Sequence, residues 1–292
     1  MHVYLNGRIL PEKEASVSVF DHGFLYGDGI YETMRVYDGV VFKLNEHIGR
    51  LYRSASLIGL RIPYNTEGIK AAVCKTIIAN GFRNAYLRMT VSRGHGDIGL
   101  DPALCPEPTV VIISRELREY PAEYYKKGIS VIIAKTRRNL MQAIDPRIKS
   151  LNFLNNILAK MEAKKLGAYE AIMLNVDKKI AEGTISNVFF TIDGMLCTPS
   201  VSCGILDGIT RGIIIDLAKK RGIRVREGRF KKEDIYSADE VFITNTTMEV
   251  MPVSSVDERQ YSVGGMAKLL RGLYRAEVKA YAADIRSKGE AI

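Results

Sequence analysis

One lysine is set apart from the other basic residues by its neighbours. In Arg147-Ile148-Lys149-Ser150-Leu151-Asn152-Phe153-Leu154, Lys149 lies between two apolar residues, just past the helix-breaking pair Asp145-Pro146. The sequence predicts that a helix begins there. Burial disfavours an ammonium ion, and the neutral amine that remains is the form that condenses with a carbonyl. A lysine alone is usually solvated surface, so the rest of the chain must supply the other parts of such a site. Gly208-Ile209-Thr210-Arg211 opens a predicted helix, so the amides of Ile209 and Thr210 form an anion site at its N-terminus. Tyr86-Leu87-Arg88 alternates along a predicted strand, which puts both polar tips on one face.

Two αβ units are expected to position these groups, an α/β (α+β) fold. In residues 1–118, VYLNGRIL and IYETMRVY read as strands, and Asp38-Gly39 as a hairpin turn. Asn45 is expected to cap a helix with Ile48, Leu51, Tyr52, Ala55 and Ile58 on one face and Arg50 on another side. Thr66 starts a second helix that Gly81 closes, and AYLRMTVS and PTVVIIS are further strands. Residues 119–128, with charge, a proline and little apolar periodicity, read as a linker. Residues 129–292 read as the larger domain, with helices near 150–166, 209–221 and 263–282 and strands near 129–136, 170–175, 186–192 and 239–244. The basic stretch after Ala282 is expected to be a frayed tail.

Composition narrows the function classes. With 42 basic against 33 acidic residues the net charge is +9, which would steer anionic small ligands towards the protein. Only 219–232 is densely basic, and it lacks the interleaved aromatics of a single-strand platform, so nucleic acid is not expected as a partner. No apolar run has the length of a membrane span and no signal peptide is evident, so a cytoplasmic protein is expected. Cys74, Cys105, Cys197 and Cys203 have neither CxxC spacing nor nearby histidines, so no metal site and no disulfide framework is expected.

Six segments, in order, resemble the class IV aminotransferases, the fold type IV pyridoxal phosphate enzymes related to D-amino acid aminotransferase. They are residues 4–39, NEHIGRLYRSA (45–55), IKSLN with LNNILAK, AEGTISNVFF (181–190), GITR (208–211) and DEVFITNTTMEVMPV (239–253). The resemblance implies pyridoxal 5'-phosphate held at a domain junction. Lys149 would form the Schiff base and act as catalytic base, and Glu182 would keep the ring nitrogen protonated. Arg50, whose planar fork suits a phosphate, would bind the phosphate with Ile209 and Thr210. Leu206 would pack on the ring, and Thr246 and Thr247 would serve the phosphate and the substrate α-carboxylate. Tyr26, Tyr31, Tyr86 and Arg88 would line the substrate pocket, partly across a homodimer interface. Amino acids and 2-oxo acids are the implied substrates.

Specificity reads as a mosaic. Tyr86-Leu87-Arg88 and the loop Arg93–Pro102 resemble branched-chain L-amino acid enzymes. Thr33, Phe153, Ser186-Asn187 and Thr246-Thr247 look more like the D-amino acid group. A branched-chain transaminase is expected, D-amino acid transamination is the alternative, and aminodeoxychorismate lyase ranks third.

Overall fold

A computed structural model describes residues 1–289. Its Cα framework divides into two compact units. One comprises residues 1–118, 148–152 and the chain from Val278; the other comprises 119–147 and 153–277.

The first unit is a six-stranded sheet with strand order β2-β1-β6-β5-β3-β4. The strands are β1 (His2–Leu5), β2 (Arg8–Pro11), β3 (Gly29–Tyr37), β4 (Val40–Val41), β5 (Ala85–Ser92) and β6 (Thr109–Glu116). Between them lie α1 (His22–Tyr26), α2 (Leu44–Leu57) and α3 (Thr66–Asn80). Ala85, Leu87, Met89 and Val91 of β5 are buried against a core that α2 and α3 contribute to, while Tyr86 and Arg88 stay half-exposed on the other face. Asp38 and Gly39 turn the β3–β4 hairpin, both with positive φ, and Gly81 ends α3 at φ 65°. The cap of α2 differs from expectation. Its N-cap is Lys43, in a left-handed conformation, and Asn45 lies inside the first turn, where a Lys43–Glu46 ion pair of 3.3 Å also sits.

The second unit is a nine-stranded mixed sheet of order β12-β11-β10-β13-β14-β7-β8-β9, with β15 on β14. Its strands are β7 (Ile129–Ile133), β8 (Glu170–Leu174), β9 (Ile180–Gly183), β10 (Asn187–Ile192), β11 (Met195–Pro199), β12 (Val225–Gly228), β13 (Glu240–Asn245), β14 (Glu249–Val256) and β15 (Arg259–Gln260). The helices are α4 (Ala122–Lys127), α5 (Leu154–Lys165), α6 (Ile209–Lys220) and α7 (Lys232–Tyr236), with α8 (Gly265–Ser287) running on into the first unit. β8 is buried along its whole length, as expected where both faces of a sheet are covered.

Three expectations change. Residues 148–152 are not the first turn of a helix. The Tyr31 amide donates to the Lys149 carbonyl and the Leu151 amide to the Gly29 carbonyl, both at 2.9 Å, so this segment is committed to β3 and α5 begins only at Leu154. Residues 119–128 are not a bare linker. They contain α4, which packs on β14, because Tyr124 and Tyr125 supply an apolar surface that a count of aliphatic residues overlooks. The stretch after Ala282 continues α8 to Ser287, and Arg286 donates to the Asp38 carbonyl at 2.7 Å; the last three residues of the expected tail lie outside the described residues. No helix among the described residues is long and apolar enough to cross a membrane.

Candidate active site

α2 buries two stripes. Ile48, Leu51 and Ala55 meet the core as the sequence suggests, but His47, Arg50 and Ser54 are buried too. Opposite them stands Glu32 of β3, 1% exposed. The Arg50 guanidinium donates from Nε to Oε1 and from Nη2 to Oε2 of Glu32, each at 2.7 Å. His47 Nδ1 lies 2.7 Å from Oε2. Burial by itself would raise the Glu32 pKa; the charge and hydrogen bonds of Arg50, with the hydrogen bond of His47, outweigh it and hold this carboxyl well below the usual range. Burial depresses the His47 pKa despite the pull of Glu32, so His47 is neutral and donates its Nδ1 proton to the carboxylate. The bidentate pair fixes one edge of the Arg50 fork and turns its opposite edge away from Glu32.

The same stripe reaches the lysine segment. The Lys149 amide donates to Ser54 Oγ at 3.2 Å. Ser150 bridges Ile30 in antiparallel fashion, which places Lys149 opposite Tyr31. Lys149 Nζ lies 3.3 Å from the Tyr31 hydroxyl and 4.4 Å from its ring centroid. The Arg88 guanidinium sits 3.9 Å from that centroid. Two basic side chains thus share one buried aromatic ring, whose hydroxyl burial pushes far above its usual pKa. Close approach is needed here: a Cβ on Gly29 would fall 2.7 Å from Leu151 Cδ1. Tyr86 shares the outward face of β5 with Arg88, and Thr33 pairs with Arg88 across β3–β5. Tyr26 stands apart from them at the end of α1, its hydroxyl accepting from the Gly99 amide at 3.2 Å.

In the second unit the centre is a buried carboxylate. Glu182 on β9, 5% exposed, accepts from Arg138 Nε at 2.8 Å, the Leu206 amide at 3.1 Å and Asn187 Nδ2 at 3.3 Å. Asn187 also donates to the Leu206 carbonyl at 3.1 Å, and a Cβ on Gly208 would lie 2.0 Å from its Oδ1. One asparagine therefore ties Glu182, Leu206 and the start of α6 together. At that start Gly208 is an N-cap with no side chain to offer, and the first amide bonded within the helix is that of Gly212. The amides of Ile209 and Thr210 are left as anion donors. Thr246 and Thr247 occupy the β13–β14 turn, where Asn245 Oδ1 accepts from the Thr247 amide at 3.0 Å and the Met248 amide at 2.7 Å.

Each unit therefore gathers part of the expected set: Tyr31, Arg50, Arg88 and Lys149 in the first, Glu182, Leu206, Ile209 and Thr210 in the second. Glu32, His47 and Arg138 were not singled out beforehand, and Asn187 entered only as a family marker. The one advance signal for His47 is its three-residue spacing from Arg50. The donors suit pyridoxal phosphate part by part: an amine beside a phenol and a guanidinium in the first unit, open helix amides and a buried carboxylate in the second.

The model of the amino-transferase class IV family matches residues 29–256. The chain belongs to that family and is a pyridoxal-phosphate-dependent transaminase with the mixed α+β fold of type IV. It is 44% identical over 291 residues to a Methanocaldococcus jannaschii protein provisionally assigned as a branched-chain-amino-acid aminotransferase, covering 99% of this chain and 97% of the relative. It is 37% identical to an aminodeoxychorismate lyase of Bacillus subtilis (95% and 94% covered) and 34% to a D-alanine aminotransferase of Bacillus licheniformis (94% and 95%). Among solved structures, the branched-chain aminotransferase of Thermoproteus uzoniensis with norvaline matches with a TM-score of 0.89 at 35% identity, covering 94% of this chain and 93% of that one. The branched-chain amino acid aminotransferase of Thermobaculum terrenum, solved in its PLP-form, matches with a TM-score of 0.87 at 29% identity, covering 100% and 97%.

Proposed function

We propose that this chain moves an amino group between a branched-chain L-amino acid and a 2-oxo acid in a ping-pong cycle. The observation that carries the chemistry is Lys149, whose carbonyl accepts from the Tyr31 amide and whose amine lies beside the Tyr31 hydroxyl. In this reading Lys149 holds the cofactor and, once displaced by substrate, takes the proton from Cα. Pyridoxal phosphate itself supplies an electrophilic carbonyl carbon and an electron sink. Arg50 with the Ile209 and Thr210 amides takes its phosphate, Glu182 its ring nitrogen, and Leu206 one face of its ring. Thr246 serves both phosphate and substrate carboxylate, Thr247 the carboxylate alone. Tyr26, Tyr31 and Tyr86 border the aliphatic group, and Arg88 receives a distal carboxylate when the partner substrate carries one.

The substrate class is supported by the branched-chain relatives and structures and by Tyr86 and Arg88 on one sheet face. Thr33 beside Arg88 and the D-alanine aminotransferase relatives favour D-amino acids as the second reading. Purified holoenzyme mixed separately with L-leucine, D-alanine and D-glutamate separates the two. Loss of the cofactor's visible absorbance with L-leucine alone supports the first reading; loss with the D-amino acids alone overturns it.

A homodimer belongs to the same proposal. The first unit leaves Phe24, Ile98 and Leu100 at 73%, 76% and 82% exposure, an apolar surface suited to a second copy. A cytoplasmic location is supported by four cysteines that all remain free thiols.

A further inference from the structure

The turn that carries Thr246 and Thr247 is held at its far end by an unusual residue. Glu249 has φ 62°, a left-handed conformation that side chains other than Gly, Asn and Asp rarely adopt. It is also 1% exposed, so this is not a loose surface turn. Its Oε2 lies 2.8 Å from Arg275 Nε and 3.4 Å from Arg271 Nε, both on α8. The register Asn245↔Glu249 leaves only residues 246–248 in the loop. A three-residue hairpin loop needs a left-handed residue, ordinarily glycine, where the second strand resumes.

The rest of the turn is tied as firmly. Asn245 Oδ1 holds the Thr247 and Met248 amides. The Tyr125 hydroxyl donates to the Met248 carbonyl at 3.1 Å, and the Tyr120 hydroxyl lies 3.2 Å from Thr247 Oγ1. Strain of this kind persists only where the surroundings over-determine it. Here the surroundings are two guanidiniums, one of them stacked 3.5 Å from the Tyr125 ring centroid.

We propose that Glu249, clamped by Arg275 and Arg271, is a positioning residue that aims the Thr246–Thr247 turn at the substrate α-carboxylate. The inference rests on the reading of that turn as the carboxylate site. Substrate then meets donors already in place, and Glu249 itself touches neither substrate nor cofactor. The effect should therefore depend on whether a substrate carries a carboxylate, and any loss that comes through the phosphate contact of Thr246 should fall equally on a substrate without one.

The test compares L-leucine with isopentylamine, the same side chain and amino group without the carboxylate. The readouts are half-reaction kcat/KM for each and the affinity for pyridoxal phosphate by absorbance titration. Glu249→Gln keeps the residue's size and removes its charge; Arg275→Met changes a partly exposed side chain and guards against a folding failure of the first variant. Both, saturated with cofactor, should lower the leucine-to-amine ratio about tenfold through leucine KM. An unchanged ratio in both overturns the inference, as does an equal loss for leucine and the amine. The paired Thr246→Val/Thr247→Val variant tests the underlying reading separately. If it leaves the ratio intact, the turn is not the carboxylate site; if it lowers the ratio while the Glu249 and Arg275 variants do not, only the positioning role fails.

Discussion

The two units each bury an arginine–glutamate pair but complete it differently, and each way sets a different kind of dependence. The first encloses a cation with its counter-ion: Arg50 is matched by Glu32 through two bonds, and neutral His47 completes the carboxylate's coordination. The second encloses an anion among mixed donors, Glu182 receiving one guanidinium, one backbone amide and one side-chain amide. An arginine neutralised by a buried glutamate keeps its geometry at the expense of net charge, so its value to an anion lies in direction. Glu182 also pairs with a guanidinium, that of Arg138, but shares its oxygens with two uncharged amides, so its value to a cationic ring lies in a carboxylate whose position those donors fix.

Removing the Lys149 amine gives the largest effect. Lys149→Ala should abolish amino transfer and the visible absorbance of the bound cofactor; turnover persisting without an added amine would refute the assignment. Deleting each carboxylate then separates the two designs. Glu32→Ala leaves a guanidinium and an imidazole buried without their partner and should cost about 3–5 kcal/mol of stability, read by denaturant unfolding. Glu182→Ala strips a partner from Arg138, which is less buried than Arg50, and should cost less, about 1–3 kcal/mol, while lowering kcat more than Glu32→Ala does. Equal stability losses with equal kcat losses would erase the distinction.

The smallest effect is on acid sensitivity, and it belongs to the first unit. The folded pKa values of Glu32 and His47 both lie below their ordinary 4.5 and 6.5. The unfolded chain therefore binds more protons, and stability falls as pH falls. His47 contributes from its ordinary value downward, Glu32 only below its own. Lowering pH from about 7 to about 5 should reduce Tm, and His47→Asn, which retains a donor but cannot titrate, should flatten that slope. An unchanged slope would show that His47 is not the group responsible.

How much of this could be read beforehand depends on how local each signal is. The start of α6 is announced by its own Gly208-Ile209-Thr210, and the α3 boundaries by Thr66 and Gly81; both were legible. Arg50 was legible as a candidate but its setting was not. His47, Arg50 and Ser54 form a polar stripe that helical periodicity assigns to solvent, and only Glu32, on the facing strand, makes that stripe an interior one. Lys149 read as the start of a helix because nothing beside it in the chain reveals β3, whose Tyr31 lies 118 positions away. Tyr124 and Tyr125 turned an apparent linker into α4 for a related reason, since an aromatic's contribution depends on the surface it finds.

The return of residues 148–152 to the first sheet also bears on how this protein is made. During synthesis the edge of β3 at Gly29–Tyr31 leaves the ribosome well before the strand that covers it. Asp38 waits longer still, because Arg286 lies 248 positions further along. The first unit cannot finish folding when its own 118 residues have emerged; it must stay open until most of the second has been translated. The nucleophile can thus be seated once residues 119–147 have followed the first 118, and a chain terminated before residue 148 carries an open sheet edge in place of a reactive lysine.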